Sequence, residues 1–301
     1  MHINRRQFLK YCIASASALG LGASVVNKLE EAVAGDSSLP TIIWLEGSSC
    51  SGCSVSLANL IGDSEDGGPT DVADLLINYL NTAFAKTFMS ATGDLAVSNL
   101  QEASRGDFIL VTEGGVPTAF DGHVCTIYSE NGQDVTMQQA ITELAPQAAA
   151  VISVGTCASF GGIPAAEPNP AGVVTVQELT GINTINIPGC PVHPDWLTGT
   201  IASLLCGEVP DTDEYGRPMA FFSRTICSQC PRKPMFDQQR YATAIGQEGR
   251  CMYLMGCNGP TTFADCPTRG WNNGMNYCPG TNAPCIGCVE SDFPKNQLLF
   301  R

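Results

Sequence analysis

The chain has 301 residues, of which 44% are hydrophobic, so it is long enough to bury a core and to form two domains. Its formal charge of -14 makes nucleic acid and anionic membranes poor partners. The same charge favours a basic protein partner, unless the acidity only serves solubility.

The first 34 residues are typical of an export signal. Arg5 and Arg6 precede a weakly apolar run over residues 11–26, and residues 32–34 (Ala-Val-Ala) offer a small-residue cleavage site. This pattern predicts a twin-arginine signal peptide over residues 1–34 and a periplasmic protein, with a basic amphipathic helix as the alternative. Because this pathway exports folded proteins, often with their cofactor, the signal favours metal sites over disulfides. No apolar run of membrane-spanning length follows, so we expect no transmembrane segment.

Four short apolar runs predict buried β-strands, each ending close to Gly, Pro or Ser residues. They cover residues 41–45, 107–112, 149–154 and 184–187. A further apolar segment, residues 72–84, fits a helix and a buried strand equally well.

Helical patterns separate these runs. Thr136 and Gln139 form the pattern of a capping box, which predicts a helix at this point. Pro194 begins another helix, which is predicted to end at Gly207. The residues expected on one face of the first helix are Met137, Ile141, Leu144 and Ala148.

Strands that alternate with helices form parallel sheets, so the predicted fold class is α/β, with a flavodoxin-like domain over residues 40–207. The acidic, turn-rich stretch 208–218 is the predicted boundary. A loop-rich domain over residues 218–301 follows it.

Four cysteines lie just beyond the carboxyl ends of three predicted strands: Cys50, Cys53, Cys157 and Cys190. Parallel sheets bind ligands at this edge, so the four are expected to meet there. The CxxC pair alone would fit a redox dithiol or a zinc site. Four converging cysteines favour a metal or an iron–sulfur cluster. No phosphate-binding motif competes, since GxxxxGK[ST] is absent and no GxGxxG follows a strand.

A second set of cysteines lies near the C-terminus, among Gly, Pro and Asn residues. These neighbours supply too little apolar area for an ordinary core. The segment therefore needs cross-links to be stable, either metal clusters or disulfides. The eight cysteines are Cys227, Cys230, Cys251, Cys257, Cys266, Cys278, Cys285 and Cys288.

The motifs of the chain resemble those of one family, the small electron-transferring subunit of periplasmic nickel–iron hydrogenases. The matching stretches are WLEGSSCSGC (44–53), VGTCASFGGIPAAEPNP (154–170), PGCPVHPDW (188–196), CPR (230–232), CMYLMGCNGP (251–260), DCP (265–267), WNNG (271–274) and PCIGC (284–288).

This resemblance implies an iron–sulfur C-terminal domain and three clusters in a line. The proximal [4Fe-4S] cluster would be held by Cys50, Cys53, Cys157 and Cys190. A large subunit would form a heterodimer with this chain and carry the nickel–iron centre that splits dihydrogen. This chain would then contain no catalytic residue of its own.

The distal site departs from the usual family pattern of one histidine and three cysteines. Here Cys227 stands in the place of the histidine. The resemblance therefore implies an all-cysteine distal [4Fe-4S] cluster with Cys227, Cys230, Cys251 and Cys257 as ligands. An added thiolate should lower the reduction potential of this cluster.

The medial site departs as well. The family usually has three cysteines and a proline there, which gives a [3Fe-4S] cluster. This chain has Cys278 in place of the proline, so we expect a medial [4Fe-4S] cluster on Cys266, Cys278, Cys285 and Cys288, or a [3Fe-4S] cluster if Cys278 is not a ligand. This pattern is closest to the nickel–iron–selenium branch.

Three cysteines remain. Cys12 leaves with the signal, while Cys125 and Cys206 are expected to be structural. His193 could hydrogen-bond toward the proximal cluster, but a satisfied surface histidine is the expected role.

Two acidic residues, Glu46 and Glu113, follow strand ends. They could tune the proximal cluster or move protons, although solvated carboxylates are the expected role for both.

The predicted function is electron relay between hydrogen oxidation or proton reduction and an external acceptor. A c-type cytochrome is expected as acceptor, since such cytochromes are often basic and would suit an acidic surface around the distal cluster. An exported, disulfide-stapled binding protein is one alternative. A respiratory-complex subunit with only the proximal site is another, but the eight C-terminal cysteines argue against it.

Overall fold

A computed structural model describes residues 40–60, 71–76, 80–205 and 208–294 of the chain. The predicted signal peptide, Cys12, Cys206 and Gly207 lie outside the described residues. Below, residues 40–205 are called the sheet region and residues 208–294 the cysteine-rich region.

In the described residues, the strands form one central sheet and two small two-stranded sheets. In chain order they are β1 (Thr41–Glu46), β2 (Asn81–Ala85), β3 (Phe108–Glu113), β4 (Val116–Pro117), β5 (Thr126–Glu130), β6 (Gln133–Thr136), β7 (Ala150–Val154), β8 (Val173–Val174) and β9 (Ile185–Ile187).

The central sheet has five parallel strands in the order β2-β1-β3-β7-β9. When only these five strands are numbered along the chain, the order becomes 2-1-3-4-5, which is the flavodoxin-like order. The predicted α/β class is therefore confirmed. Because all five strands run the same way, their carboxyl ends share one edge of the sheet.

Two parts of the sheet region were open or absent in the sequence prediction. The segment 72–84 contains both alternatives, a short helix at Val72–Asp74 and the start of β2, and residues 77–79 of it lie outside the described residues. The hairpin of β5 and β6 turns at Asn131-Gly132, where both residues have positive φ. An Asn-Gly pair is a common signal for such a turn, so the sequence did carry this information.

The longest described helices, Asp94–Ala103, Met137–Leu144 and Pro194–Leu205, lie in the sheet region. Thr136 caps α4 with both bonds of a capping box, as predicted, but Ala148 lies beyond the end of this helix. The helices are α1 (Gly52–Ala58), α2 (Val72–Asp74), α3 (Asp94–Ala103), α4 (Met137–Leu144), α5 (Gly155–Phe160), α6 (Val176–Thr180), α7 (Pro194–Leu205), α8 (Met219–Phe222), α9 (Ile226–Gln229), α10 (Lys233–Asp237) and α11 (Cys266–Arg269), with single 3₁₀ turns at Ala145–Gln147, Tyr253–Met255 and Cys278–Thr281.

Both faces of the central sheet are covered. In β1, Ile42 and Trp44 belong to one apolar cluster, while Ile43 and Leu45 belong to the other, because side chains alternate along a strand. The first cluster continues through Trp196 into the cysteine-rich region, where it includes Cys266 and Cys285. The cysteine-rich region therefore packs on one face of the sheet.

The cysteine-rich region consists mainly of turns and short helices. Its described β pairing is limited to isolated bridges, such as Thr225 with Phe263 and Tyr241 with Cys251. In the part of the chain that is described, no helix has the length and apolar character needed to span a membrane.

Candidate metal centres

The first candidate centre lies at the carboxyl edge of the sheet. Cys50 follows β1 in a loop, Cys53 lies in the first turn of α1, Cys157 lies in α5 directly after β7, and Cys190 follows β9. The thiol of Cys53 is near those of Cys157 and Cys190, and Cys50 is near the latter two. The structure thus brings together the four cysteines that the sequence predicts to meet.

A glycine makes this close approach possible. Gly155 has a φ of +81°, and a Cβ at this position would lie 2.5 Å from the sulfur of Cys53. Any side chain here would therefore be strained and would collide with a predicted ligand.

Glu113 holds the cysteine-bearing turn to the sheet. Its carboxylate is 1% exposed and accepts hydrogen bonds from the backbone N–H groups of Cys53 (3.0 Å) and Ser54 (3.2 Å), from Trp44 Nε1 (3.3 Å) and from Ser49 Oγ (3.1 Å). The expected role of a solvated carboxylate is therefore wrong for Glu113, because five donors, including the Ser54 hydroxyl, converge on it in the interior.

Glu46 differs from Glu113 although the two are paired in register across β1 and β3. It is only half-buried, and it accepts hydrogen bonds from Ser51 Oγ (3.0 Å) and from the backbone N–H of Thr87 (3.2 Å). The environment at the edge of the sheet, which the sequence pattern does not reveal, separates the two residues.

The second candidate centre is a cavity in the cysteine-rich region that four cysteines line together. Arg232 and Lys233 line it too, and the backbone N–H of Arg232 donates to the sulfur of Cys230 over 3.4 Å. The four are the predicted distal set: Cys227, Cys230, Cys251 and Cys257.

The third candidate centre is a neighbouring cavity. Apolar and aromatic side chains close it, among them Ile226, Trp271 and Tyr277. It contains the predicted medial set, Cys266, Cys278, Cys285 and Cys288, together with Cys190 of the sheet edge. Cys278, the predicted fourth ligand of the medial set, lines this cavity together with the other three cysteines.

Contacts between neighbouring residues connect the three centres. Cys190 of the sheet edge lines the medial cavity together with Cys288, which links the sheet edge to this cavity. The backbone N–H of Cys285 donates to the sulfur of Cys257 over 3.3 Å, which links the medial cavity to the distal one. The Tyr277 hydroxyl lies 3.3 Å from the sulfur of Cys230 and gives a second contact between these two cavities. The centres therefore form a line, with the medial cavity in the middle.

Thr156 joins the same two regions through its hydroxyl. This group donates to the backbone carbonyl of Cys288 and accepts from the N–H of Gly189 over 2.9 Å. Glu113, Thr156 and Tyr277 are the supporting residues whose contacts sequence reasoning missed, and only their positions next to strand ends or cysteines could have drawn attention to them.

Burial makes the isolated thiols reluctant to ionise. Burial, followed by the neighbouring Cys190, raises the pKa of the Cys157 thiol to about 11. Burial likewise raises the pKa of Cys266 to about 12 and that of Cys285 and Cys288 even further. Thiolates at these positions need a strongly positive ligand, and bound iron supplies one.

The donor sets fit iron–sulfur clusters. All thirteen cysteines among the described residues are free thiols, and no group of three or more acidic, His or Cys side chains in the described ranges is placed to hold a single metal ion. Four cysteine sulfurs around a partly buried space are the ligands that [4Fe-4S] clusters use.

Two other predicted positions have structural contacts. Cys125 packs against the second apolar cluster, in agreement with a structural role. His193 is satisfied, as predicted, but it is buried rather than on the surface. Its Nε2 lies 2.7 Å from the Gly270 carbonyl, and its Nδ1 accepts from the Asp195 N–H over 3.2 Å, so the ring joins α7 to the cysteine-rich region and not to a sulfur.

Two family models match the chain. Residues 50–204 match the model for the 20 kDa subunit of NADH ubiquinone oxidoreductase, and residues 222–301 match the C-terminal model for small subunits of NiFe/NiFeSe hydrogenases. The first match lies in the sheet region, and the second covers most of the cysteine-rich region.

Relatives that match over nearly their full length are also named hydrogenase small subunits. The chain is 35% identical over 320 residues to the periplasmic [NiFeSe] hydrogenase small subunit of Desulfomicrobium baculatum, covering 100% of this chain and 99% of that protein. It is 35% identical over 308 residues to the periplasmic [NiFe] hydrogenase small subunit 1 of Nitratidesulfovibrio vulgaris Hildenborough, covering 99% and 93%.

Solved structures agree with these relatives. The H2-activated [NiFeSe] hydrogenase of Dm. baculatum superposes with a TM-score of 0.80 and 37% identity, covering 87% of this chain and 98% of that one. The recombinant [NiFeSe] hydrogenase of Desulfovibrio vulgaris Hildenborough gives a TM-score of 0.79 and 38% identity, covering 87% and 97%.

Proposed function

The chain belongs to the family of NiFe/NiFeSe hydrogenase small subunits and is an electron-transfer subunit of a hydrogenase, and we propose that it relays electrons through three [4Fe-4S] clusters. The relay would run between a large subunit that splits dihydrogen and an external acceptor. The observation that carries this proposal is the line of three four-cysteine sets, in which Cys190 of the first set lines the medial cavity and the Cys285 N–H donates to the sulfur of Cys257.

The ligand assignment follows the three sets. We propose a proximal cluster on Cys50, Cys53, Cys157 and Cys190; a distal cluster on Cys227, Cys230, Cys251 and Cys257; and a medial cluster on Cys266, Cys278, Cys285 and Cys288. We also propose that residues 40–207 and 218–301 are two domains, with the first cluster in the former and the other two in the latter.

When bound, a [4Fe-4S] cluster accepts and donates one electron at a time. The residues of this chain hold the sulfur ligands and exclude water from them. N–H groups of Arg232 and Cys285 donate to ligand sulfurs, and such donors stabilise the extra negative charge of a reduced site and raise its potential.

The exposed end of the proximal set supports docking of the large subunit. Cys50 is exposed there, and so is Val55 on α1, whose side chain is 58% exposed. A Cβ at Gly52 would lie 3.0 Å from the sulfur of Cys50. A cluster this close to solvent would be shielded by a partner protein, and we propose that the large subunit covers it to form a heterodimer.

We further propose that residues 1–34 are a twin-arginine signal and that the heterodimer works in the periplasm. Two of the relatives described above are named periplasmic, which supports this location. A c-type cytochrome remains the acceptor class that the family resemblance suggests.

The relay can be tested with the anaerobically purified heterodimer. Dihydrogen should bleach the visible iron–sulfur absorbance of this chain, and oxidised acceptor should restore it. As a control, hydrogen–deuterium exchange of the gas measures hydrogen splitting at the large subunit alone. If that exchange is normal but the absorbance of this chain does not respond to dihydrogen, the relay proposal is wrong.

The medial cluster type can be tested separately by EPR spectroscopy. With Cys278 as fourth ligand, the native protein should show no signal of an oxidised [3Fe-4S] cluster at any potential, while Cys278→Pro should create one. A strong [3Fe-4S] signal in the native protein would exclude Cys278 as a ligand and leave the three-cysteine alternative.

A further inference from the structure

The segment that carries the distal cysteines is basic, although the chain as a whole has a formal charge of -14. Between residues 224 and 257 there are five Arg and Lys residues and two acidic ones, Asp237 and Glu248. This segment therefore differs from the acidic surface that the sequence analysis expects around the distal site. The basic residues are Arg224, Arg232, Lys233, Arg240 and Arg250.

These basic residues are next to the distal cysteines in the fold as well as in the sequence. Arg232 and Lys233 line the cavity, and the Arg240 carbonyl accepts the N–H of Cys251 over 3.1 Å. Arg224 and Arg240 are exposed, and neither forms an ion pair with another described residue. Lys233 pairs with Asp237, so most of the positive charge remains available to a partner.

An exposed aromatic residue lies among these charges. Tyr253 is 44% exposed, and its ring packs at 5.2 Å from that of Phe236 and 5.7 Å from that of Tyr241. Tyr253 lies between Cys251 and Cys257 in the chain and is one of the residues that line the distal cavity. An aromatic centre with a charged rim is the usual composition of a protein docking site.

Local charge decides docking at this distance. Salt screens charges beyond about 8 Å at physiological ionic strength, so the acidic residues elsewhere on the chain contribute little to a partner seated at the distal cavity. An acidic partner face would be attracted there, while a basic face would be repelled.

We propose that this distal face, formed by Arg224, Arg232, Lys233, Arg240, Arg250 and Tyr253, docks an electron-carrier protein whose own docking face is acidic. This inference rests on the proposed relay, because it takes the distal cluster as the electron exit. Each dihydrogen oxidised by the heterodimer yields two protons and two electrons, which reduce two molecules of a one-electron carrier. The charge of the carrier's face, and not its cofactor, is what the surface selects.

The test compares two carriers on the intact heterodimer, an acidic ferredoxin and a basic c-type cytochrome. At about physiological ionic strength, where distant charges are screened, hydrogen-driven reduction of the ferredoxin should have the higher kcat/KM, and it should slow as more salt is added because the local attraction is then screened too. Reduction of the basic cytochrome should be slow and should accelerate with salt.

Charge-reversal variants locate the effect. Arg224→Glu combined with Arg240→Glu should lower kcat/KM for the ferredoxin about tenfold at the same ionic strength, which is within the usual range of electrostatic steering. The matched control is Arg105→Glu, an exposed arginine that follows α3 at the opposite edge of the sheet and should change neither carrier's rate.

The other outcomes would overturn the inference. A faster basic cytochrome whose rate falls with salt would mean that an acidic surface elsewhere docks the acceptor. Equal rates without salt dependence, or a double variant that behaves like Arg105→Glu, would mean that the distal face does not select the partner. If hydrogen splitting continues but neither these carriers nor a small viologen dye is reduced, the relay itself fails and this inference fails with it.

Discussion

The sheet region and the cysteine-rich region organise their cysteines in opposite ways. In the sheet region, hydrogen-bonded strands with apolar side chains on both faces fix the positions of four cysteines at one edge. In the cysteine-rich region, the described helices α8–α11 have at most five residues each, and buried cysteines themselves contribute to the apolar cluster. The first region would fold and then bind a cluster, whereas the second needs its clusters to fold.

Removal of iron should produce the largest difference in stability between the two regions. A chelator applied to the reduced, anaerobic protein should abolish most hydrogen-exchange protection in residues 226–288, because isolated four-residue helices are unstable in water. Strands β1, β3 and β7 should keep theirs. Mass-spectrometric hydrogen exchange of peptides from both regions measures this.

The control for iron removal is Cys157→Ser, which changes only the proximal set. It should leave protection in the cysteine-rich region close to that of the native protein. Simultaneous loss of protection in both regions after iron removal would contradict the proposed difference.

The next largest effect is expected within the sheet region, at Glu113. Glu113→Ala should cost about 3 kcal/mol of local stability, because it leaves buried donors at Cys53 and Ser54 without an acceptor. Faster hydrogen exchange of peptides that contain these two amides would report the loss. Glu46→Ala, at the half-buried neighbour in register, should cost less than about 1 kcal/mol. Equal effects of the two substitutions would show that Glu113 does not hold the turn.

The junction between the two regions should show an intermediate effect. Thr156→Val removes the bonds to the Cys288 carbonyl and the Gly189 N–H and should cost about 2 kcal/mol. Hydrogen exchange around residues 187–190 and 286–290 should increase. Thr200→Val is the control, since the hydroxyl of this equally buried residue only bonds to the Trp196 carbonyl one turn earlier in α7. A similar response to both changes would argue against Thr156 as a link.

The smallest effect is expected from His193, which should make the folding stability depend on pH. Burial, despite the opposing influence of Asp195, lowers the pKa of His193 below its usual 6.5. The folded protein therefore binds fewer protons than the unfolded one, so this stabilisation is present above pH 6.5 and is lost as the pH falls through the unfolded pKa toward the folded one.

The thermal midpoint of the native protein should accordingly fall between pH 7 and pH 5. His193→Gln, which keeps a donor for the Gly270 carbonyl, should reduce this fall. An identical fall in both proteins would show that His193 is not the source of this pH dependence.

The same contrast explains what the sequence could predict. Four of the five strands of the central sheet, all except β2, and the meeting of Cys50, Cys53, Cys157 and Cys190 follow from apolar runs and from the geometry of parallel strands. These are local patterns, and parallel strands bring their carboxyl ends to one edge of a sheet, so the residues alone were enough to predict them. In the cysteine-rich region there is no such periodicity, and the grouping into medial and distal sets came from the family resemblance.

Long-range contacts and local charge were not predictable in this way. Glu46 and Glu113 look alike in the sequence, and only the turn at Ser49–Ser54 decides which of them is buried. The basic distal face was hidden for a different reason. A net charge averages over the chain, whereas the fold gathers Arg232, Lys233 and Arg240 around one cavity.

The central claim is that twelve cysteines of this chain hold three four-iron clusters, eight of them in a region that these clusters organise. The most direct measurement is the iron and acid-labile sulfide content of this chain in the anaerobic heterodimer, combined with thiol mass analysis. We expect about twelve irons and twelve sulfides per chain, with no disulfides. About four irons per chain, or cysteines 227–288 found as oxidised pairs, would contradict it.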